Sequence, residues 1–316
     1  MAEAKDQTLP DPNPPGQTPP GQTPPGQTPP GQTPPGQMVL GQMVLGGMPR
    51  RLFSCTPSRL STFDCPRRYR FTYLDRPTPP KGPPWAHNTV GAVAHLALHR
   101  WWDVPLRERT PAAAAGLVDR HWQTDGFRDP HQSERSRRMV RNWVGDYATS
   151  LDPALEPRGV ERTVAMRTER LAASGRVDRI DERDGALVIV DYKTGRRTTT
   201  ENDARSSLAL ALYAVGAQRT LRAPCTRVEL HHLPSGEVSS WEHTPQSLER
   251  HVRRAEAIAE DIETALVAVA SGASAEEVFV PVTGSQCSWC DFRRHCPQGQ
   301  QAAPGKTSWA ALADPD

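Results

Sequence analysis

The strongest constraint on this chain is a run of four apolar residues, Leu187-Val-Ile-Val190, followed at once by Asp191-Tyr-Lys193-Thr-Gly195. An unbroken apolar run this short, bounded by a turn signal, marks a strand buried on both faces. Its partner is legible just upstream. Gly175-Arg-Val-Asp178-Arg-Ile180 contributes Val177 and Ile180, and Asp184-Gly185 offers the positive-φ positions of a tight hairpin turn. The stretch from Gly175 to Gly195 therefore predicts a β-hairpin. Asp191 and Lys193 are two apart, so their side chains leave the same face of the second arm. Asp178 on the first arm sits across from that pair if the hairpin is in register. Charges at the end of a doubly buried strand emerge from a core and need partners or a metal. Two carboxylates and one lysine converging there make a site for Mg²⁺ or Mn²⁺. The oxygens hold the hard cation, and the ammonium orients a water or steadies a phosphate.

The rest of the chain supplies layers for that hairpin. Residues 1–50 repeat Pro-Pro-Gly-Gln at a five-residue period from Pro14 to Gln37, with no apolar face to bury, and predict a disordered tail of polyproline II character. Thr56-Pro57 reads as a helix start, and the helix over 59–73 is expected to break at Cys65-Pro66. A loop follows at 77–84. A second helix over 88–102 carries an apolar stripe of Val90, Val93, Ala94, Ala97, Leu98 and Trp101, with His95 beside it and Gly91 one turn earlier. Further helices are predicted at 112–122, 133–150, 203–221 and 246–271, and strands at 160–168, bearing Glu161, and at 227–233 and 237–243. That order predicts a mixed sheet flanked by helices in one α/β domain over 51–300, with 301–316 as a flexible tail.

Charge is nearly balanced, at +2 over 316 residues, so nothing global announces a nucleic-acid binder. Arginine is nonetheless clustered. Seven arginines lie between Arg50 and Arg76 against Asp64 and Asp75, interleaved with Phe53, Phe63, Tyr69, Phe71 and Tyr73. Such a mixture suits phosphate contacts and base stacking, with Arg59, Arg67, Arg68 and Arg70 as the candidates. It equally suits an amphipathic helix with its aromatics in a core. No apolar stretch approaches the roughly 20 residues that span a bilayer. Acids and prolines stand where a signal peptide carries a basic and then an apolar region. The expectation is a cytoplasmic protein with reduced cysteines.

Those cysteines form a second constellation. Cys287, Cys290 and Cys296 have C-x2-C-x5-C spacing and need a fourth ligand. Cys65 is the leading choice, with Cys55 and Cys225 as alternatives. Four thiolates bind a structural zinc or a [4Fe–4S] cluster. Zinc sites more often come as two close pairs, so three cysteines plus a distant one lean toward iron–sulfur. Either centre would staple residues 53–76 to 285–297.

Taken together, these motifs resemble the RecB-like branch of the PD-(D/E)XK nuclease superfamily, and more narrowly its iron–sulfur nucleases, typified by the AddB nuclease domain and the CRISPR-associated adaptation nuclease. The resemblance rests on Ser58-Arg-Leu-Ser-Thr-Phe-Asp-Cys65-Pro-Arg-Arg-Tyr69, Gly91-Ala-Val-Ala-His95, Gly175-Arg-Val-Asp178, Asp191-Tyr-Lys193-Thr-Gly195 and the carboxyl-terminal cysteines. It covers about 53–297 and implies a restriction-endonuclease-like fold with a four-cysteine staple. It further implies His95, Asp178 and Asp191 as ligands of Mg²⁺ or Mn²⁺, Lys193 as the residue that positions the attacking water, and Glu161 as an accessory carboxylate. The expected activity is DNA cleavage, as an exonuclease of repair or recombination. Such families often carry Gln-x-x-x-Tyr on the next helix. Here Tyr213 is in place, but Ala209 occupies the glutamine position. The rival reading is a catalytically degenerate iron–sulfur subunit that binds DNA within a larger complex. No Gly-x-x-x-x-Gly-Lys-Ser/Thr loop is present, so unwinding would come from a helicase partner.

Overall fold

The hairpin lies in the middle of a six-stranded sheet in the computed structural model, which describes residues 52–313. The expected tail at 1–50 falls outside the described residues. In chain order the elements are β1 (Phe53–Cys55), α1 (Pro57–Thr62), α2 (Pro66–Tyr73), α3 (Ala86–Asp103), α4 (Pro111–His121) and α5 (Pro130–Thr149). Then follow β2 (Gly159–Arg167), β3 (Leu171–Arg183), β4 (Ala186–Lys193), α6 (Glu201–Ser206), α7 (Leu208–Leu221), β5 (Cys225–His232) and β6 (Glu237–Glu242). The chain continues through α8 (Pro245–Ala270), α9 (Ala275–Val278) and α10 (Pro297–Ala302).

The hairpin turn forms at the Asp-Gly pair: Asp184 has φ 52° and Gly185 φ 78°, joining Arg183 to its partner Ala186. Along β4 the apolar run feeds two cores at once. Leu187 and Ile189 pack with α7 and α8, whereas Val188 and Val190 pack with α3, α4 and α5. Burial of each such side chain contributes roughly 1.5–3 kcal/mol, which is why no polar residue interrupts the run. β3 pairs antiparallel with β2 over most of its length, parallel with β1 at its start and antiparallel with β4 at its end. β4 and β5 are parallel, a pairing that needs a crossover, and α6 and α7 provide it. β6 closes the edge against β5. The expected mixed sheet flanked by helices is therefore the observed architecture.

Four differences from the sequence reading have local causes. The first helix breaks as expected, but fully, into α1 and α2, with Phe63–Cys65 between them. The helix expected at 203–221 is two, because Ser207 is extended (ψ 108°) and its hydroxyl accepts the Leu210 N–H at 3.3 Å, capping α7. β1 was missed, since three residues are too few to show a period. The segment expected as a flexible tail is laid on the domain as far as it is described. The Ala86 N–H donates to Ser308 O at 3.1 Å, Ser308 Oγ donates to Gly126 O at 2.9 Å, and Gln132 Nε2 donates to Leu312 O at 3.3 Å.

Candidate active site

The site lies where the two arms of the hairpin part. β3 and β4 are paired as far as Arg179 and Val190, and one step further stand Asp178 and Asp191. There a side chain replaces the ladder, and the Tyr192 N–H donates to Asp178 Oδ2 at 2.9 Å. The other oxygen, Asp178 Oδ1, is 3.3 Å from His95 Nδ1, and His95 Nε2 is 3.1 Å from the Tyr192 carbonyl oxygen. His95 reaches this point because α3 closes on the end of β4. A Cβ on Gly91 would stand 3.2 Å from Thr194 Oγ1, so glycine at that turn lets the helix approach. Burial pulls the His95 pKa down, but the hydrogen bond and charge of Asp178 and the charge of Asp191 outweigh it, and the net shift is upward.

Glu161 arrives by a backbone device that pattern reading misses. Val160 and Val164 are an even number of residues apart on β2, yet Val164 packs in the core under α7 and Val160 against the core under α3. Side chains alternate strictly along a regular strand, so the faces exchange between these positions. Glu161 lies there with φ 48°, a left-handed conformation uncommon outside glycine and found where a site over-determines the backbone. The result brings one ligand atom each from His95, Glu161 and Asp178 within 4.8 Å of one another. Glu161 also pairs with Arg176 at 2.7 Å.

Asp191 sits beside this trio rather than in it. Its carboxylate is ion-paired with Lys193 Nζ, which is half exposed. Burial raises the Asp191 pKa, the Lys193 charge opposes that rise, and the net direction is up. Tyr213 of α7 reaches the same cleft past Gly175, where a Cβ would fall 2.5 Å from Tyr213 Cε1. Burial, and then the charges of Asp191, Asp178 and Glu161, push the Tyr213 hydroxyl up to about 12, so it stays a donor. The cleft has a volume of about 610 Å³ and is lined by His95, Glu161, Asp178 and Tyr213. Two carboxylates and an imidazole around an open cleft are a donor set suited to a divalent cation such as Mg²⁺ or Mn²⁺.

A profile of the PD-(D/E)XK nuclease superfamily matches residues 54–297. The chain belongs to that superfamily. The matched span runs from β1 to the last cysteine and holds every residue of the cleft. No curated protein matches the sequence. Nineteen solved chains match. One of them, SSO0001, is 13% identical, with 66% of this chain and 84% of that chain covered at a TM-score of 0.32. Likeness that distant carries no argument about this site.

Elsewhere in this superfamily member, Cys65, Cys287, Cys290 and Cys296 line a single small cavity together with Phe71, Phe292 and Gly299. A Cβ at Gly299 would stand 3.4 Å from both Cys287 Sγ and Cys296 Sγ, and the Gly299 N–H donates to Cys296 Sγ at 3.3 Å. Cys55 and Cys225, the alternative fourth ligands, are both buried in the core under α7 instead. Among the described residues, no three thiol sulfurs come within 4.8 Å of one another. Tetrahedral zinc with bonds near 2.3 Å would need sulfurs about 3.8 Å apart.

The four candidate arginines divide. Arg67 is buried, donating from Nε to Phe279 O at 2.9 Å and from Nη2 to Glu276 O at 3.1 Å. Arg70 is held by Asp75 at 3.0 Å and Glu276 at 2.8 Å. Arg59 donates to Tyr69 Oη at 2.9 Å and stacks on Phe53, Tyr69 and Tyr73. All three clamp the amino-terminal helices in place, the packing role that the sequence pattern equally suits. Arg68 differs: its buried Nε has no hydrogen-bond partner, and it lines both the cysteine cavity and an open groove of about 570 Å³. That groove shares Ser58 and Tyr213 with the cleft around His95 and Asp178 and adds Tyr73 and Lys81. Sequence reading missed Lys81 because it lies in a proline-rich loop far from the other motifs.

Proposed function

We propose that this chain is a divalent-metal-dependent deoxyribonuclease of the RecB-like iron–sulfur branch, acting as an exonuclease in DNA repair or recombination. The observation that carries the reading is the convergence of His95, Glu161 and Asp178 in one open cleft, with the Asp191–Lys193 pair next to it at the end of β4. His95 and Asp178, with Glu161 or Asp191, would hold Mg²⁺ or Mn²⁺. A cation bound there supplies Lewis acidity toward a phosphate oxygen and lowers the pKa of a water. Lys193 Nζ, anchored on Asp191, donates to the attacking water and holds it in line with the scissile phosphate. Tyr213 Oη, protonated throughout the physiological range, donates to a non-bridging oxygen.

Four cysteines around one cavity, three close in sequence and one distant, suit a [4Fe–4S] cluster, and the N–H on Cys296 Sγ is a contact that cluster sulfurs accept. The cluster is structural in this reading and closes the carboxyl terminus onto α2. Arg68 and Lys81, with Tyr73 and Tyr213, form a basic and aromatic groove leading into the cleft, a combination that binds single strands of DNA. A reducing cytoplasm suits the thiolates, and a helicase partner would deliver the strand.

The test is cleavage of end-labelled single- and double-stranded DNA by anaerobically purified protein with Mn²⁺, Mg²⁺ or EDTA. The expected result is metal-dependent cleavage that falls roughly 10²-fold or more in Asp178→Ala and Lys193→Ala. Iron and sulfide should accompany the wild type and be lost in Cys65→Ser. Cleavage by Asp178→Ala at the wild-type rate would refute the site. Tight DNA binding without cleavage under any metal would establish the degenerate binding subunit instead.

A further inference from the structure

Beside the cleft, in the core under α3, α4 and α5, lies a buried charge that the proposed chemistry does not use. Arg179 follows Asp178 in sequence, is 2% exposed, and points into the core under α3, α4 and α5. Its Nε lies 2.9 Å from Asp181 Oδ1, and its Nη2 donates to Asp181 Oδ2 at 3.1 Å. Its Nη1 donates to Tyr147 Oη at 3.0 Å and Tyr192 Oη at 3.4 Å. Tyr147 Oη, having accepted from Arg179, donates to His231 Nδ1 at 2.7 Å. The His231 proton is then on Nε2, which donates to Glu229 Oε2 at 2.9 Å. A directed chain of hydrogen bonds thus joins β3, α5 and β5, and His231 is the register partner of Tyr192.

Stability does not account for this network. Apolar residues of the same shape usually stabilise a core at least as well as a buried ion pair, because desolvating the charges offsets their attraction. A buried network of directed hydrogen bonds specifies one arrangement instead, with Arg179 Nε meeting Asp181 by charge and without a hydrogen bond of its own. What it specifies here is Tyr192. That ring is 2% exposed, and its hydroxyl, the one polar group by which it can be oriented, is held by Arg179. The main chain of the same residue joins Asp191 to Lys193, gives its N–H to Asp178 and turns its carbonyl to His95. The N–H belongs to the peptide before Tyr192 and the carbonyl to the peptide after it, so a shift of the Tyr192 main chain disturbs both contacts.

We propose that Arg179 is a positioning residue for the metal site, fixing the Tyr192 main chain and, through it, the aim of Asp178 and His95. The inference rests on the metal-dependent reading of that cleft. Outer partners of metal ligands typically set metal affinity within a factor of about 10–100. The test measures Mn²⁺ dissociation constants by calorimetry for the full chain, with melting temperatures in EDTA, for wild type, Arg179→Met and Arg179→Lys.

The expected result is a dissociation constant raised about 10-fold or more in Arg179→Met. The melting temperature should fall, because Asp181, Tyr147 and Tyr192 lose a donor, and Arg179→Lys should recover part of the affinity. A purely structural arginine would move the melting temperature and leave affinity alone. A folded Arg179→Met that binds Mn²⁺ as wild type does overturns the inference while leaving the nuclease reading intact. A wild type that binds no Mn²⁺ overturns both. Should Arg179→Met not fold, Tyr192→Phe removes only the hydroxyl, and affinity is expected to weaken about threefold; unchanged affinity there overturns the inference too.

Discussion

Replacing Arg67 separates a folding role from a DNA-binding one. In Arg67→Ala the Phe279 carbonyl, in a residue 1% exposed, loses its donor at 2.9 Å, and the Glu276 carbonyl loses one at 3.1 Å. A bond from a charged donor to a carbonyl contributes about 1.5–3 kcal/mol, and a buried acceptor left alone costs about 1–3 kcal/mol. The ion pair with Glu276, whose side chain is 61% exposed, adds at most about 1 kcal/mol. The expected loss is about 3–5 kcal/mol, a fall in Tm of roughly 6–20 °C for a domain of this size. Differential scanning calorimetry measures it. DNA affinity measured against salt supplies the second readout. Each phosphate contact contributes about one unit to the slope of log K against log salt. Arg67→Ala should leave that slope unchanged, whereas Arg68→Ala should reduce it by about one and barely move Tm. An Arg67→Ala protein that melts like wild type and loses a unit of slope would refute the clamp.

Three further outcomes follow from the geometry. Gly175→Ala puts a Cβ 2.5 Å from Tyr213 Cε1 and 3.2 Å from Pro57 Cδ, and should cost about 1–3 kcal/mol, with Tyr213→Ala relieving most of it in the double variant; additive losses would show that the ring is not the obstacle. His243 is lowered by burial from 6.5 to about 4, so the folded state resists a proton that the unfolded chain accepts. Stability should be full above pH 6.5 and fall by up to about 3 kcal/mol as pH drops toward 4. In His243→Gln that acid slope should flatten, and denaturant titrations from pH 4 to 7 with an unchanged slope would contradict it. His95, with its pKa raised, holds its proton above 6.5, and a metal must displace that proton. Mn²⁺ affinity should therefore climb as pH rises through and beyond that value, and a flat profile would remove His95 from the ligand set.

Local pattern carried much of this architecture. A strand packed on both faces must be apolar throughout, so Leu187–Val190 declared its depth without any knowledge of its neighbours. An Asp-Gly pair adopts positive φ cheaply, so the turn at Asp184 and Gly185, and with it the register placing Asp178 beside Asp191, followed from two residues. The cysteine spacing announced a shared cavity in the same way.

What the chain alone could not declare depends on contacts between segments far apart in sequence. The left-handed backbone at Glu161, which brings that carboxylate level with Asp178, is sustained by strand pairing and leaves no mark in composition. Arginines 67, 68 and 70 are alike in sequence, and only the packing of α9 against α2 turns two of them inward while Arg68 stays at the groove. Arg179 looked like another charge on a hairpin arm, yet tertiary burial makes it the anchor of Tyr192. Sequence by itself determined periodicity, turns and the inventory of reactive groups, because these depend on neighbours along the chain. Which carboxylate meets which histidine, and which arginine stays open to the groove, was decided by tertiary structure, because a side chain's partner is set by the element packed against it.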